Sequence, residues 1–495
     1  MADRHNEAMP LDADAAYLAL AARDARFDGR WFVGVTSTRI YCRPICRVRT
    51  PKRENCRFFE TPAQAEAESF RPCLKCRPEI APGPGLAWTV MDASRTLARQ
   101  AADWLDERAA SGDAPSLADL ARRLGVSDRH LRRIFQAEHG VTPVQYLQTR
   151  RLLTAKHLLT DTRMPVSQVA LASGFGSLRR FNAAFADSYR MSPSRLRSEA
   201  PDEGLAAGDA VTVTLAYRAP YDAVRLTRFF AQRAVPRVEE VEALRIRRTL
   251  RAGAVADSAG WVEAQFMPDA ARVRLSFAPE LASASARVVT AVRRWLDVDA
   301  APQTIDSALQ QLPGDAGLRL PGSLDPFELA VRAVLGQQVT VAAARTLARR
   351  VVERFGTALA TPWDSVDRAF PTPLRLARTA PERIAELGII RTRANAIVAL
   401  ARAWPDLSPS LTPHQSPDHL IEQLCALPGI GAWTAHYIAM RALSWPDAFP
   451  PNDVAVLKAM KHLFNSASQR EAETVAQAWR PWRAYAVLRL WNSLE

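Results

Sequence analysis

LCALPGIGAWTAHYIAMRAL, residues 424–443, sets a proline and two glycines between two runs of helical periodicity, and PPNDVAVLK follows at 450–458. The turn Leu427-Pro428-Gly429-Ile430-Gly431 joins two helices and points backbone N–H groups outward at a helix N-terminus, an arrangement that suits a DNA phosphate. On the residues alone other readings stay open. The turn could be an ordinary helix connection, Trp433, Tyr437 and Trp491 could be core aromatics at helical spacing, and Asp453 could be a helix cap.

The LPGIG turn followed about twenty residues later by Asp453 is identified as a member of the helix-hairpin-helix glycosylase superfamily. YRAPYDAVRLTRFFAQRAV (217–235), LRLPGSLDPFELAVRAVLGQQVTVAAA (318–344) and WRPWRAYAVLRLW (479–491) extend the resemblance, over 209–495, to the AlkA-type 3-methyladenine DNA glycosylase II family. That resemblance implies Asp453 as the essential carboxylate, Trp433, Tyr437 and Trp491 as the base-binding cleft, Gln338 as the wedge that fills the vacated stack, and Leu427–Gly431 on the DNA backbone. N3- or N7-alkylated purines are cationic leaving groups, so electron-rich rings and one carboxylate near the sugar supply most of the chemistry. The chain departs from the family in carrying Gln338 where leucine is expected and Val454 where an aromatic follows the aspartate. Trp433 stands where lyase relatives carry a Schiff-base lysine, and no four-cysteine loop follows the hairpin. The resemblance therefore implies a monofunctional enzyme without an iron–sulfur cluster.

Outward from this half, Pro and Gly cluster at 81–85 and a second polar break runs from Ser198 to Gly208. Between them the chain reads as short amphipathic helices. VTVTLAY (211–217), VEALRIRRTL (241–250), WVEAQFM (261–267) and ARVRLSF (271–277) read as strands, and helical periodicity returns after Pro302. The expected fold class is α+β multidomain. A small zinc-bound α/β domain (1–85) precedes an all-α tandem helix-turn-helix domain (86–200), an antiparallel sheet domain (207–300) and an all-α helix-hairpin-helix domain (301–495).

SLADLARRLGVSDRHLRRIFQAEHG (116–140) has Ser116 and Ser127 as caps around Gly125. PVSQVALASGFGSLRRFNAAFADSYRMSP (165–193) repeats the pattern about 50 residues on, with Gly174 and Ser177. Arg129, His130, Arg132 and Arg133 in the first unit, and Arg179, Arg180 and Asn182 in the second, fall on the outer faces of the recognition helices. The tandem resembles AraC-type regulators, whose recognition helices enter successive major grooves.

Cys42 and Cys46 form a C-x3-C pair and Cys73 and Cys76 a C-x2-C pair, with Cys56 and Cys425 left over. Two close thiolate pairs can complete one tetrahedral Zn²⁺ site. FDGRWFVGVTSTRIYCRPICRVRTPKRENCRFF (27–59) with FRPCLKCRPE (70–79) closely resembles the zinc domain of Ada-type regulators of the adaptive response. The resemblance implies that Cys42 accepts a methyl group from a methylated DNA phosphate while Cys46, Cys73 and Cys76 complete the ligand set. Arg39, Arg43, Arg47 and Lys52 are placed to draw the phosphodiester close. Losing one negative charge from the cluster on methylation should tighten DNA binding. No Pro-Cys-His-Arg segment is present, so alkylguanine transfer is not expected.

The 495 residues carry a net charge of +13, with 31 Lys and Arg against 22 Asp and Glu in residues 1–200 and 34 against 30 thereafter, which favours a polyanionic partner for the first half. The expected partners are double-stranded DNA with alkylated bases or methylated phosphates, promoter DNA and RNA polymerase. No signal-like start and no apolar run of bilayer length is present, so the expected location is the cytoplasm, at the nucleoid and off the membrane. Two rivals to the fused sensor and glycosylase are a transcription regulator whose glycosylase-like half only binds DNA, and a glycosylase whose cysteine site is purely structural.

Overall fold

The computed structural model describes residues 13–83, 93–111, 116–199, 210–251, 259–411, 417–465 and 468–494. Most of the two linker breaks, and with them the domain limits at 85, 200 and 207, lies outside these residues. The chain forms two compact units, one running to Ala219 and including Ala282–Val289, the other comprising Pro220–Leu281 and Thr290–Glu495. Among the described residues no helix is long and apolar enough to cross a membrane.

The first unit opens on a four-stranded sheet, in the order Cys56–Phe59, Phe32–Val35, Ile40–Cys42 and Arg71–Pro72. The first three pair antiparallel, with Val33 opposite both Phe58 and Cys42, and the fourth runs parallel to Ile40–Cys42. Gly34 is required here, because a Cβ would lie 2.7 Å from the Phe59 ring and 2.9 Å from that of Phe70. The helix-turn-helix units follow the caps read in the sequence. Ser116, Ser127 and Ser177 each accept a backbone N–H at the third helical position, opening helices Leu117–Arg123, Asp128–His139 and Leu178–Tyr189. The recognition helices bury Leu131, Ile134 and Phe135, and Phe181, Phe185 and Tyr189, at helical spacing, which turns their basic residues outward.

A polar core holds the zinc-domain elements against helix Pro143–Asp161. Lys156, 1% exposed, pairs with Glu79, and Arg77 reaches Glu79, Asp161 and Thr160. Glu66 accepts from Tyr41 Oη and from Thr149 Oγ1, both at 3.0 Å, and burial pushes its carboxyl up to about 8. A carboxyl whose folded pKa lies above its unfolded value near 4.5 binds more protons in the native state. Its stabilising effect is therefore complete below about pH 4.5 and is lost as pH rises towards 8. Glu66→Gln is expected to flatten this decline, raising the melting temperature of the unit at pH 8 by several degrees with little change at pH 5. An unchanged pH profile in thermal scans would show that Glu66 is not the titrating group.

In the second unit, Glu239–Glu242, Arg245–Arg251, Ala259–Met267 and Arg272–Phe277 form consecutive antiparallel hairpins. Ala259–Met267 alternates between buried and half-buried residues along its whole length, as a one-faced strand does. VEALRIRRTL, read as one strand, is instead a tight hairpin. Ala243 takes φ +49 and Glu242 pairs with Arg245, a reversal without the Gly or Asn that marks such turns in sequence. The helices of this unit bury a core in which Phe327, Val334, Leu420, Ile430 and Ile438 pack together.

Candidate functional site

Strand Ile40–Cys42 ends on Cys42, the following turn brings up Cys46, and Cys73, whose N–H donates to Tyr41 O at 3.0 Å, starts the turn to Cys76. All four Sγ atoms lie within 4.8 Å of one another. Four Zn–S bonds of about 2.3 Å put tetrahedral sulfurs roughly 3.8 Å apart, so the donor set fits Zn²⁺. Hydrogen bonding among the sulfurs pushes the Cys42 thiol up and the Cys73 thiol down, the instability of close thiolates that a cation relieves. Cys42, Cys46 and Cys73 are buried and Cys76 is half-buried. The backbone N–H of Arg43 donates to Cys76 Sγ at 3.3 Å. Of the remaining cysteines, Cys56 is buried and Cys425 exposed.

Arg39, Arg47 and Lys52 are exposed, as the sequence suggested, but Arg43 is not. It is 3% exposed, its guanidinium forks onto the Asp28 carboxylate with Nε 2.8 Å from Oδ1, and Nη1 donates to Cys76 O at 3.0 Å. Arg43 therefore braces the cysteine turn and is unavailable to a phosphodiester. A buried guanidinium demands a carboxylate partner, and Asp28 meets that demand before DNA can.

On the recognition helices Arg129, Arg132, Arg133, Arg179, Arg180 and Asn182 are exposed and His130 is half-buried. Arg132 pairs with Asp128 at 3.0 Å, and Arg133 lies 3.2 Å from His130 Nδ1. Such exposed contacts yield readily to phosphate or base edges.

In the second unit the hairpin anchors itself through Ile430, 4% exposed, while Pro428, Gly429 and Gly431 lie at the surface and Leu427 is half-buried. Gly429 takes φ +81, and a Cβ there would approach Ala396 Cβ to 2.9 Å. Helix Ala432–Ala442 begins at Gly431 without a side-chain cap, leaving its first N–H groups to an outside acceptor. Gln337 ties the loop that carries Gln338 to this hairpin, its Nε2 donating to Gly429 O at 2.9 Å and Thr434 Oγ1 at 3.1 Å. Gln338 itself is exposed with φ +53, and Val454 is 80% exposed.

Trp433, Tyr437, Trp491 and Asp453 come together. The Trp433 and Tyr437 rings stack at 5.2 Å and 9°, and Trp491 lies 6.4 Å from Tyr437. Asp453, 6% exposed, caps helix Val454–Phe464 by accepting from Val456 N at 2.9 Å. It also accepts from Trp433 Nε1 at 2.8 Å on Oδ2 and from Trp491 Nε1 at 3.2 Å on Oδ1. The carboxylate is thus both a cap and the hub of the aromatic cleft. The double use of the indoles was not legible in the sequence, nor was Arg441, which donates to Tyr437 Oη at 2.8 Å. The only sequence signal for Arg441 was its i+4 and i+8 spacing from Tyr437 and Trp433 on one helix face.

Trp433→Phe keeps an aromatic face but removes the N–H donor. It is expected to slow single-turnover chemistry about tenfold with little loss of substrate capture, since a hydrogen bond to a charged group contributes about 1.5–3 kcal/mol. Trp433→Ala is expected to lose capture as well. Equal saturation curves and rates for wild type and Trp433→Phe would remove the indole N–H from the mechanism.

Four family descriptions match the chain: "Metal binding domain of Ada" over residues 15–79, "Helix-turn-helix domain" over 120–199, "AlkA N-terminal domain" over 212–325 and "HhH-GPD superfamily base excision DNA repair protein" over 331–484. The probable bifunctional transcriptional activator/DNA repair enzyme AlkA of Mycobacterium tuberculosis is 38% identical over 98% of this chain and 97% of its own length. DNA-3-methyladenine glycosylase 2 of Escherichia coli is 36% identical over 56% of this chain and 96% of its own. The bifunctional transcriptional activator/DNA repair enzyme AdaA of Bacillus subtilis is 28% identical over 39% and 89%. With a cysteine cluster and tandem helix-turn-helix in one unit, a hairpin and buried aspartate in the other, and a relative matched end to end, the chain belongs to the family of the bifunctional transcriptional activator/DNA repair enzyme AlkA.

Proposed function

We propose that this chain is a base-excision DNA glycosylase that hydrolyses the N-glycosidic bond of alkylated bases such as 3-methyladenine, fused to a zinc-dependent sensor of DNA methylphosphotriesters that activates transcription. The observation that carries the first half is Asp453, a buried carboxylate held by two indole N–H groups beside a stacked Trp–Tyr pair. A flipped cationic base stacks on the aromatic cleft, with Gln338 filling the gap in the duplex and the hairpin backbone of Leu427–Gly431 holding phosphate. Asp453 then faces the sugar, where positive charge grows as the glycosidic bond breaks, and guides water to the anomeric carbon. With Trp433 in place of an amine nucleophile the reaction stops at base release, and the mechanism needs no iron–sulfur cluster.

In the N-terminal sensor a four-thiolate zinc site would keep its sulfurs deprotonated at neutral pH. Cys42 is the proposed methyl acceptor. The Cys76 sulfur accepts the backbone N–H of Arg43 at 3.3 Å, which stabilises its lone pair and blunts it as a nucleophile. Arg39, Arg47 and Lys52 hold the phosphodiester, and the exposed residues of both recognition helices read promoter DNA alongside RNA polymerase. The proposed division of labour is 1–85 sensor, 86–200 reader, 207–300 sheet support and 301–495 glycosylase, acting at the nucleoid.

Incubating the purified chain with duplexes carrying a panel of alkylated bases tests the reading. Free 3-methyladenine with intact abasic strands is the expected result. No base release from any duplex would leave a DNA-holding regulator as the better description.

A further inference from the structure

Beneath the aromatic cleft, four arginines crowd around few carboxylates. Arg248 pairs with Glu239 at 2.8 Å and Glu328 at 2.7 Å, and Arg332 pairs with the other Glu328 oxygen at 2.7 Å. Arg441, 6% exposed, spends Nε and Nη2 on the carbonyls of Pro321 and Gly322 and turns Nη1 to Tyr437 Oη. Arg233 lies 3.8 Å over the Phe229 ring, donates from Nη1 to Phe229 O and Gln232 Oε1 at 3.3 Å, and acts on the Tyr437 phenol through its charge. Among the described residues neither Arg233 nor Arg441 forms an ion pair with a carboxylate. Asp325, the remaining acid nearby, uses Oδ1 to cap Phe327 and Glu328. Even with Asp325 counted, four guanidiniums meet three carboxylates, so one positive charge is left without a counter-charge around a cavity of about 10 Å³.

We propose that Arg441 and Arg233 make Tyr437 the anionic wall of the base pocket, and that this wall sets the pocket's preference for cationic over neutral purines. The inference rests on the glycosylase reading and names what selects within that site. A phenolate is the counter-charge the cluster lacks, its proton passing to water, and its ring is already stacked on Trp433. The charged groups facing the phenol are Arg441 from its own helix, Arg233 from helix Ala223–Arg233, and Arg332 from helix Pro326–Leu335, with Glu328 committed to Arg248 and Arg332. Trp491 is an uncharged neighbour with its ring 6.4 Å from that of Tyr437, and the Asp453 carboxylate accepts from Trp433 Nε1 and Trp491 Nε1. Burial raises the phenol, but Arg441, Arg233 and Arg332 outweigh it and bring it below the ordinary tyrosine range. An anionic ring attracts a cationic purine more strongly than a neutral one of the same shape.

Two measurements on the full chain decide it. In ultraviolet titration of the free protein, one tyrosinate band is expected to appear below the ordinary value near 10, to vanish in Tyr437→Phe and to move upward in Arg441→Met. In single-turnover assays, the ratio of 7-methylguanine release to hypoxanthine release is expected to fall about tenfold in Tyr437→Phe, which keeps the ring and loses only the oxygen. Identical titration curves for wild type and Tyr437→Phe, or an unchanged release ratio, overturn the proposal. Tyr437→Phe serves as the decisive variant should Arg441→Met fail to fold. Absence of release by wild type from every duplex overturns the glycosylase reading instead, and the titration then decides the charge on Tyr437 by itself.

Discussion

Asp453→Asn is expected to lower single-turnover release of 3-methyladenine by about a hundredfold or more, with duplex affinity within a few-fold of wild type. In the proposed mechanism the carboxylate acts on charge that exists only as the glycosidic bond breaks. Removing it forfeits a transition-state interaction of typically a few kcal/mol without touching ground-state binding. In the proposed mechanism DNA is held elsewhere, by the backbone of Pro428, Gly429 and Gly431, which is exposed. Asparagine is less innocent than its size suggests. Both Asp453 oxygens accept, Oδ2 from Trp433 and Oδ1 from Val456 and Trp491, so the amide NH₂ must face at least one indole N–H. A melting-temperature check on the variant therefore belongs with the kinetics, and the loss of a buried acceptor is expected to cost about 1–3 kcal/mol of stability. Wild-type release rates by a folded Asp453→Asn protein would refute the mechanism and favour a half that only holds DNA.

Cys42→Ala is expected to abolish methyl uptake from DNA containing methylphosphotriesters. Wild type is expected to gain one methyl group, on Cys42, by mass spectrometry. The competing acceptor is Cys76, the one cysteine of the four that is half-buried rather than buried. Exposure favours Cys76, but the Arg43 N–H donates to its sulfur at 3.3 Å and the Arg43 guanidinium pins its carbonyl, which lowers nucleophilicity and fixes the turn. A methyl group found on Cys76 would mean that access outranks hydrogen bonding here, and the assignment of Cys42 would fall. Cys73→Ser separates this chemistry from folding. It is expected to reduce bound zinc from about one per chain towards none and to destabilise the sheet carrying the cluster, because metal binding and folding are linked.

The features legible in the sequence are local ones. Ser116, Ser127 and Ser177 cap helices because a hydroxyl reaches an N–H three residues on, and Cys42 meets Cys46, and Cys73 meets Cys76, because each pair lies within one turn, whereas the two pairs are joined by the parallel pairing of Ile40–Cys42 with Arg71–Pro72. The LPGIG turn likewise needs only its own residues and the helices it joins. The VEALRIRRTL hairpin was missed because Ala243 occupies a left-handed conformation that its sequence does not signal.

Pairings across long separations were decided by tertiary structure alone. Asp453 draws its indole donors from 20 residues before and 38 after, Glu66 meets Thr149 across 83 residues, and Arg43 is claimed by Asp28. In sequence Asp453 reads as a helix cap or, through the family resemblance, as the essential carboxylate, but its indole donors are not legible, and Arg43 reads as a phosphate ligand. Packing removes water from one face of each such group. A desolvated charge must then take whichever opposite charge or donor the fold brings within reach, and that neighbour is set by three-dimensional topology rather than by position along the chain.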